Sequence, residues 1–101
     1  MTFESLAARV RVWAQNKNIY TQSTAFDQAS KTLEEVNELL VALHRNDIDA
    51  TEDAIGDTLV TLINVAKLSD LDPVRCFERA VCTIEKRQGE MVNGKFVKEA
   101  Y

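Results

Sequence analysis

The segment from about Asp49 to Ser69 constrains this chain most, because it is apolar around nearly its whole helical circumference and yet carries one polar stripe. At 100° per residue, its polar side chains fall within about 40° of one direction. They are Asp53, Asp57, Thr61 and Asn64. A helix that is apolar nearly all round is buried. An unpaired carboxylate inside it would lose its charge or destabilise the fold, so the stripe requires a partner.

A second polar stripe lies on the preceding helix, which is predicted from about residue 24 to residue 45. Its members lie on one side of the helix: Gln28, Lys31, Glu35 and Glu38. The stripe borders an apolar arc, which we predict to be the core-facing side. The arc contains Phe26, Ala29, Leu33, Val36, Leu40 and Leu43. Because short connections make consecutive helices antiparallel neighbours, we expect the two stripes to face each other.

Facing stripes would bring Glu35, Glu38 and Asp57 together, with Asp53 beside them. Carboxylates that lie close together repel, so a bound cation would have to neutralise them. Oxygen ligands suit hard divalent ions, and the pattern therefore predicts Mg²⁺, with Mn²⁺ as the alternative. The competing interpretation is a purely structural helical dimer whose acids are ion-paired. The basic side chains available for such pairs are Lys31, Lys67 and Arg87.

The rest of the chain also predicts helices, since it contains only 3 Gly and 1 Pro. We expect an all-α fold, with one domain over residues 1–101 and four helices. Asp72 as N-cap and Pro73 as the first helical residue mark the start of the fourth helix. Residues 90–101 are expected to form a C-terminal arm or a small hairpin around the turn dipeptide Asn93-Gly94.

Charge and hydropathy exclude several classes of protein. Twelve basic and sixteen acidic residues give a net charge of -4, which argues against a nucleic-acid-binding module. No apolar run approaches the roughly 20 residues that a membrane-spanning helix needs, and the first residues lack the apolar segment of a signal peptide. We therefore expect a cytoplasmic protein that binds neither nucleic acid nor membrane.

Two segments carry a resemblance to a known family. KTLEEVNELLVAL followed by DAIGDTLVTLINVAK resembles the MazG-type nucleoside triphosphate pyrophosphohydrolases. These belong to an all-α superfamily that also contains dimeric dUTPases. The family pattern is E-x-x-E, then E-x-x-D, then Asn seven residues after the Asp. The matching residues are Glu35, Glu38, Asp57 and Asn64. The chain departs from the pattern at Ala54, where the third acid is expected, and Asp53 is the nearest substitute.

The resemblance implies Mg²⁺-dependent hydrolysis of (deoxy)nucleoside triphosphates to the monophosphate and pyrophosphate, as a house-cleaning activity on the nucleotide pool. It implies a homodimer or a homotetramer (a dimer of dimers), in which the catalytic helices form a four-helix bundle across subunits. Glu35 and Glu38 would be the catalytic carboxylates and, with Asp57 and Asp53, the metal ligands. Which glutamate activates the attacking water stays open.

Six further side chains are expected to contact the substrate: Gln28, Lys31, Asn64, Lys86, Arg87 and Trp13. The basic ones would bind phosphate oxygens, and Lys86 and Arg87 would act from the end of the fourth helix, in the same or a neighbouring subunit. Trp13 would stack on the base or else belong to the core. The alternative function is a helical oligomer that binds nucleotides without hydrolysing them, and Ala54 favours it.

Overall fold

The computed structural model describes residues 1–99 and consists of five helices followed by one hairpin. The elements are α1 (Phe3–Asn16), α2 (Ile19–Gln22), α3 (Ala25–His44), α4 (Ile48–Leu68), α5 (Pro73–Ile84), β1 (Gly89–Val92) and β2 (Lys95–Lys98). The predicted all-α class is confirmed, but the helices number five rather than four, because α2 forms one additional turn between α1 and α3. Residues 100–101 of the predicted arm lie outside the described residues. Within residues 1–99, no helix combines the length and apolar character that crossing a membrane requires.

Helix starts follow the capping residues of the sequence. The side chain of Thr24 accepts a hydrogen bond from the backbone N–H of Asp27, and Asp72 caps α5 with Pro73 at its first turn, as predicted. The start of α4 differs from the prediction near Asp49. Its N-cap is Asp47, whose Oδ1 accepts from the backbone N–H of Ala50 at 3.0 Å.

The antiparallel pair of α3 and α4 forms the centre of the fold. A short connection joins the two helices, and the hydroxyl of Thr32 donates to the hydroxyl of Thr61 at 2.8 Å. One turn away, Asn64 Nδ2 donates to Gln28 Oε1 at 3.4 Å. These contacts belong to a layer of polar residues between the helices, which we call the polar seam. It consists of Gln28, Thr32 and Glu35 of α3 with Thr58, Thr61 and Asn64 of α4.

The apolar arc of α3 is not the core of this chain, so that prediction was wrong. Phe26 is 80% exposed, Leu33 65% and Leu40 59%. The physical reason is that the seam residues, at spacings of four and three, already occupy the contact between α3 and α4. The arc is therefore turned to one side of the pair.

The helix pair has two unlike sides. In an antiparallel pair, residues that flank the seam on matching edges lie beside each other. Apolar side chains of both helices therefore share one side, which we call the apolar face: Leu33, Leu40, Leu43, Ile55, Leu59 and Leu62, all 44–65% exposed. The opposite side carries exposed carboxylates, and we call Glu38, Asp53 and Asp57 the acidic face.

The C-terminal segment forms a small hairpin, which was one of the two predicted alternatives beside an extended arm. β1 and β2 pair antiparallel, with Met91 opposite Phe96. Asn93 and Gly94 both have positive φ, at 51° and 81°, as a two-residue hairpin turn of type I′ requires. Among the described elements, the hairpin contacts no helix.

Gly89 and Gly56 make a matched pair for testing the hairpin. A Cβ at Gly89 would collide with the carbonyl oxygen of Val97 and lie 2.8 Å from the Phe96 ring, whereas a Cβ at Gly56 meets nothing within 4 Å. We expect Gly89→Ala to abolish amide protection in the hairpin and leave the helices unchanged. Gly56→Ala should stabilise α4 by about 1 kcal/mol. Hydrogen exchange and thermal melting measure both, and a hairpin that keeps its protection in Gly89→Ala would contradict the assignment.

Candidate functional site

Glu35 is the carboxylate that the fold buries. Its residue exposure is 7%, since it lies in the polar seam between α3 and α4. Its Oε1 is 3.7 Å from Lys31 Nζ, one turn earlier on the same helix. Its Oε2 is buried and has no hydrogen-bond partner in the described structure. An acceptor in this position lacks part of its solvation, so a donor or a cation placed there would be favoured.

Lys31 forms an ion pair with one of the two carboxylate oxygens of Glu35. Its ammonium lies between Glu35, at 3.7 Å, and Glu34, at 4.0 Å. The lysine side chain is 50% exposed, and exposed ion pairs contribute little stability. Within residues 1–99 it is the one basic side chain within 4.0 Å of a carboxylate. The lysine therefore leaves Glu35 Oε2 open.

The other predicted metal ligands lie on the acidic face. Glu38, Asp53 and Asp57 are exposed. Within the described part of the chain, no group of three or more Asp, Glu, His or Cys side chains is close enough to hold a metal ion by itself. Ala54, which replaces the expected third acid, is 4% exposed and fills that position with a methyl group. The four-carboxylate site thus stays a prediction.

The donors fit one kind of magnesium site. Mg²⁺ is usually held by one or two carboxylates together with substrate phosphates and water, rather than by a complete protein cage. The buried and unpartnered oxygen of Glu35 supplies one such ligand. Glu38 follows one turn later on α3, on the exposed side of the seam. A cation shared between these glutamates and a phosphate chain is therefore compatible with the residues present.

Asn64 is the most deeply buried of the predicted substrate contacts, at 2% exposure. The hydroxyl of Tyr20 donates to its Oδ1 at 2.7 Å, and its Nδ2 donates to Gln28 Oε1 at 3.4 Å. Gln28 Nε2 then donates to Ser23 Oγ at 3.1 Å. This chain of hydrogen bonds links α2, α3 and α4. Both Asn64 and Gln28 are therefore engaged within the protein.

Tyr20 belongs to this buried network, although no pattern in the sequence indicated it. Burial raises the pKa of its hydroxyl, and the nearby Arg11 guanidinium partly opposes that shift. The tyrosine lies on α2, a single helical turn that is too short for a helical periodicity to mark the direction of its side chains. The available signal was a tyrosine four residues before Thr24, the N-cap of α3.

Trp13 lies at the surface rather than in the core. It is 48% exposed and lines a groove of about 560 Å³ between α1 and α4. Asp57 lines the same groove, and apolar side chains such as Leu6 and Leu59 form much of its wall. The groove thus combines an aromatic ring with a carboxylate of the acidic face.

Lys86 and Arg87 are not part of this arrangement. They follow the end of α5 at Ile84, and both are exposed. Neither lies within 4.0 Å of an acidic side chain of the described residues. Any phosphate contact by these two residues therefore stays a prediction.

Comparison with known proteins gives a family match over most of the chain. Residues 5–81 match the sequence profile of the family described as phosphoribosyl-ATP pyrophosphohydrolase. This family lies in the MazG-like all-α nucleoside triphosphate pyrophosphatase superfamily, so the predicted resemblance is confirmed at that level.

One curated relative is a phage protein. The chain is 32% identical over 71 residues to an uncharacterized 18.2 kDa protein in the rep-hol intergenic region of Haemophilus phage HP1 (strain HP1c1). The aligned part covers 70% of this chain and 44% of that protein, so the chain spans less than half of the relative's length. No solved structure matches the chain.

Removing the Tyr20 hydroxyl tests the buried network. Tyr20→Phe should lower the free energy of unfolding by about 1–3 kcal/mol, because Asn64 Oδ1 loses its donor. Thr21→Ala is the matched control, since that hydroxyl donates to the carbonyl of Asn18 at an exposed site. We expect the control to stay within about 0.5 kcal/mol. Equal effects of both variants in chemical denaturation would contradict the network.

The raised pKa of Tyr20 adds a pH dependence with a defined sign. The neutral hydroxyl is favoured in the folded state, so its contribution is fully present below the unfolded value of 10.0. It is lost as the pH rises through the higher folded value. The stability difference between wild type and Tyr20→Phe should therefore shrink above that pH, in denaturation curves measured at each pH.

Proposed function

Because this chain belongs to the phosphoribosyl-ATP pyrophosphohydrolase family, we propose that it is a pyrophosphohydrolase acting on nucleotides. The single observation that carries the proposal within the structure is the buried, unpartnered Oε2 of Glu35. It lies beside a lysine and one turn from a second glutamate, in the first acidic pair of the family pattern. A divalent cation is the partner that suits such an oxygen when a phosphate chain is present.

The proposed substrates are (deoxy)nucleoside triphosphates, and the proposed role is house-cleaning of the nucleotide pool. The substrate in the family's name, phosphoribosyl-ATP, is a second candidate because it also carries a triphosphate. Both share the anhydride bond between the α and β phosphorus atoms. Cleavage of that bond releases pyrophosphate from either substrate.

The residues of the chain have separate tasks in this proposal. Glu35 and Glu38 would hold Mg²⁺, which neutralises phosphate charge when bound. Lys31 would bind a phosphate oxygen. Glu38 is exposed and so can also accept a proton from a water molecule, whereas Glu35 is fixed by burial. The water oxygen bonds to phosphorus, the bond to the pyrophosphate oxygen breaks, and the water proton passes to the carboxylate.

The groove between α1 and α4 is the proposed site for the base. Trp13 offers a ring that is half exposed, and flat aromatic surfaces stack well on nucleobases. Asp57 in the same groove would join the phosphate end of the substrate to the metal site. In this arrangement, Asn64 and Gln28 support the walls of the site through the Tyr20 network, and Asp53 is the alternative ligand to the missing acid.

Nucleotide binding without hydrolysis is the second candidate function. A specific observation favours it: position 54 carries a buried methyl group where the family pattern has its third acid. With fewer carboxylates, the site would hold fewer cations and so stabilise less of the negative charge in the transition state, and it would still bind a triphosphate together with one cation.

A substitution of Glu35 tests the proposed enzyme. The purified protein is incubated with Mg²⁺ and a panel of deoxynucleoside triphosphates, nucleoside triphosphates and phosphoribosyl-ATP, and pyrophosphate release is measured. Glu35→Gln should reduce turnover by about 100-fold or more, since it removes a charged ligand without changing the size of the side chain. Glu34→Gln is the matched control, because that neighbouring side chain is 67% exposed.

Three outcomes separate the candidates. Turnover that disappears in Glu35→Gln and persists in Glu34→Gln supports the hydrolase. Binding of a triphosphate in calorimetry with no pyrophosphate release supports the binding protein. Neither binding nor turnover, with no effect of Mg²⁺ on the melting temperature, would contradict both.

We further propose that the apolar face joins two copies of the chain in a four-helix bundle, in a homodimer or a homotetramer. Exposed apolar patches of this kind mark protein interfaces. Leu40→Glu, which places a charge at the centre of the face, should convert the assembly to monomers in analytical ultracentrifugation. Val12→Glu on α1 is the control, since Val12 is 62% exposed and lies outside the face. An unchanged assembly in Leu40→Glu would contradict this interface.

A further inference from the structure

Gly56 is the glycine that the fold of this chain does not require. The chain has three glycines. Gly94 occupies a turn position with positive φ, and a Cβ at Gly89 would collide with the backbone of β2. Gly56 lies in the interior of α4 without a positive φ, and a Cβ built there meets nothing within 4 Å. A requirement for glycine at this position would therefore come from a molecule outside the chain.

The glycine at position 56 makes α4 less stable than alanine would. Glycine is unfavourable inside a helix, because it loses more backbone freedom on folding than any other residue. Alanine would fit at this position without a close contact. Glycine also leaves the helix backbone uncovered, so that a ligand can approach the backbone closely. Position 56 thus combines a less stable helix with an open patch of backbone.

That open patch belongs to the groove between α1 and α4. Gly56 lines the groove together with Trp13 and Asp57. On α4, Gly56 points about 100° away from Ile55, so it is turned to α1 rather than to the apolar face. Leu59 lies at the border, since it belongs to the apolar face and also lines the groove. A ligand in the groove is therefore better placed to contact Gly56 than a second copy on the apolar face.

Arg9 provides the same groove with hydrogen-bond donors. It lies four residues before Trp13 on α1, so the two side chains share one side of that helix, and both line the groove. Within residues 1–99, no carboxylate lies within 4.0 Å of its guanidinium, although Asp57 lines the groove as well. A guanidinium has five N–H donors and no acceptor. It can therefore bind the acceptor atoms that nucleobases carry at their edges.

We propose that Gly56 is a specificity-determining residue for the base of the nucleotide, an inference that rests on the proposed function. The base lies between the ring of Trp13 and the uncovered backbone of α4 at Gly56, with one edge toward Arg9. An aromatic base stacks well on an indole ring. A methyl group at position 56 would occupy the space that the base needs on its other side.

The size of the base determines how strongly its binding depends on Gly56. A purine has two fused rings and a pyrimidine has one, so a purine overlaps more of the indole and extends further over the backbone at Gly56. Larger apolar contact favours binding. We therefore expect purine nucleotides to bind more tightly than pyrimidine nucleotides, and a Cβ at position 56 should reduce this preference.

Gly56→Ala in the full chain tests the proposal, and Trp13 reports on the groove as the only tryptophan of the sequence. The ligands are deoxyadenosine and deoxycytidine triphosphate analogues with a methylene group as the α–β bridge, each with Mg²⁺. Tripolyphosphate, which has no base, is the matched ligand. Thr51→Ala is the matched variant, since Thr51 also lies on α4 but does not line the groove. Calorimetry measures the dissociation constants, and fluorescence measures the response of Trp13.

We expect the deoxyadenosine analogue to quench Trp13 fluorescence in the wild type. Gly56→Ala should weaken its binding by about tenfold, because a methyl group forced into a filled contact typically has an effect of this size. The deoxycytidine analogue should be weakened less, and tripolyphosphate should bind both proteins equally. The melting temperature of Gly56→Ala should rise, so that weaker binding cannot result from a damaged fold. Thr51→Ala should bind all ligands as the wild type does.

Several outcomes would overturn the proposal. Equal affinity of the wild type and Gly56→Ala for the deoxyadenosine analogue would do so and would leave the proposed function intact. Equally weakened binding of tripolyphosphate would show that the effect does not concern the base. A changed sedimentation coefficient of Gly56→Ala would place a second copy of the chain at Gly56 instead.

Failure of the proposed function gives a different result. Analogues that bind as expected, without pyrophosphate release from the natural triphosphates, would contradict the hydrolase and keep the role of Gly56. A wild type that binds none of the ligands would overturn both.

Discussion

The polar seam between α3 and α4 determines what the rest of this chain can do. Two long antiparallel helices usually pack through leucine-like side chains, yet here the contact contains two threonine hydroxyls 2.8 Å apart and a buried asparagine. Small and hydrogen-bonded residues let the helices approach each other and leave their bulky apolar residues outside. The pair therefore has an apolar face on one side and an acidic face on the other.

Glu35 is where this arrangement becomes relevant to function. Threonine and alanine alone would be enough to hold the two helices together. The buried carboxylate of Glu35, with one unpartnered oxygen, instead reduces the stability of the fold. Such a group is typical of a binding site, where a ligand provides the missing interaction. The Tyr20 network fixes the neighbouring part of the seam, so that α2, α3 and α4 are held in one arrangement around that carboxylate.

Much of the fold could be predicted from the sequence, because the signals are local. The Asp72 cap followed by Pro73 and the Asn93-Gly94 turn each act within a few residues, and both are confirmed. The prediction that the apolar arc of α3 forms the core of the chain was wrong. A helical wheel identifies an apolar arc, but it does not indicate whether the same chain or another molecule covers that arc. The polar stripes were correctly expected to face each other. The side-chain amide of Asn64, however, is hydrogen-bonded to Tyr20 and Gln28 within the protein. The four-carboxylate site stays a prediction, because only Glu35 occupies the seam while Glu38, Asp53 and Asp57 are exposed beside it.

The proposed function depends most on Glu35 acting as a metal ligand rather than as half of an ion pair. A crystal structure with Mn²⁺ and a triphosphate whose α–β bridge resists hydrolysis measures this directly, through the anomalous signal of the ion. We expect an ion bound jointly by phosphate oxygens and Glu35 Oε2. An ion held by the phosphates alone, with Glu35 still turned to Lys31, would contradict it.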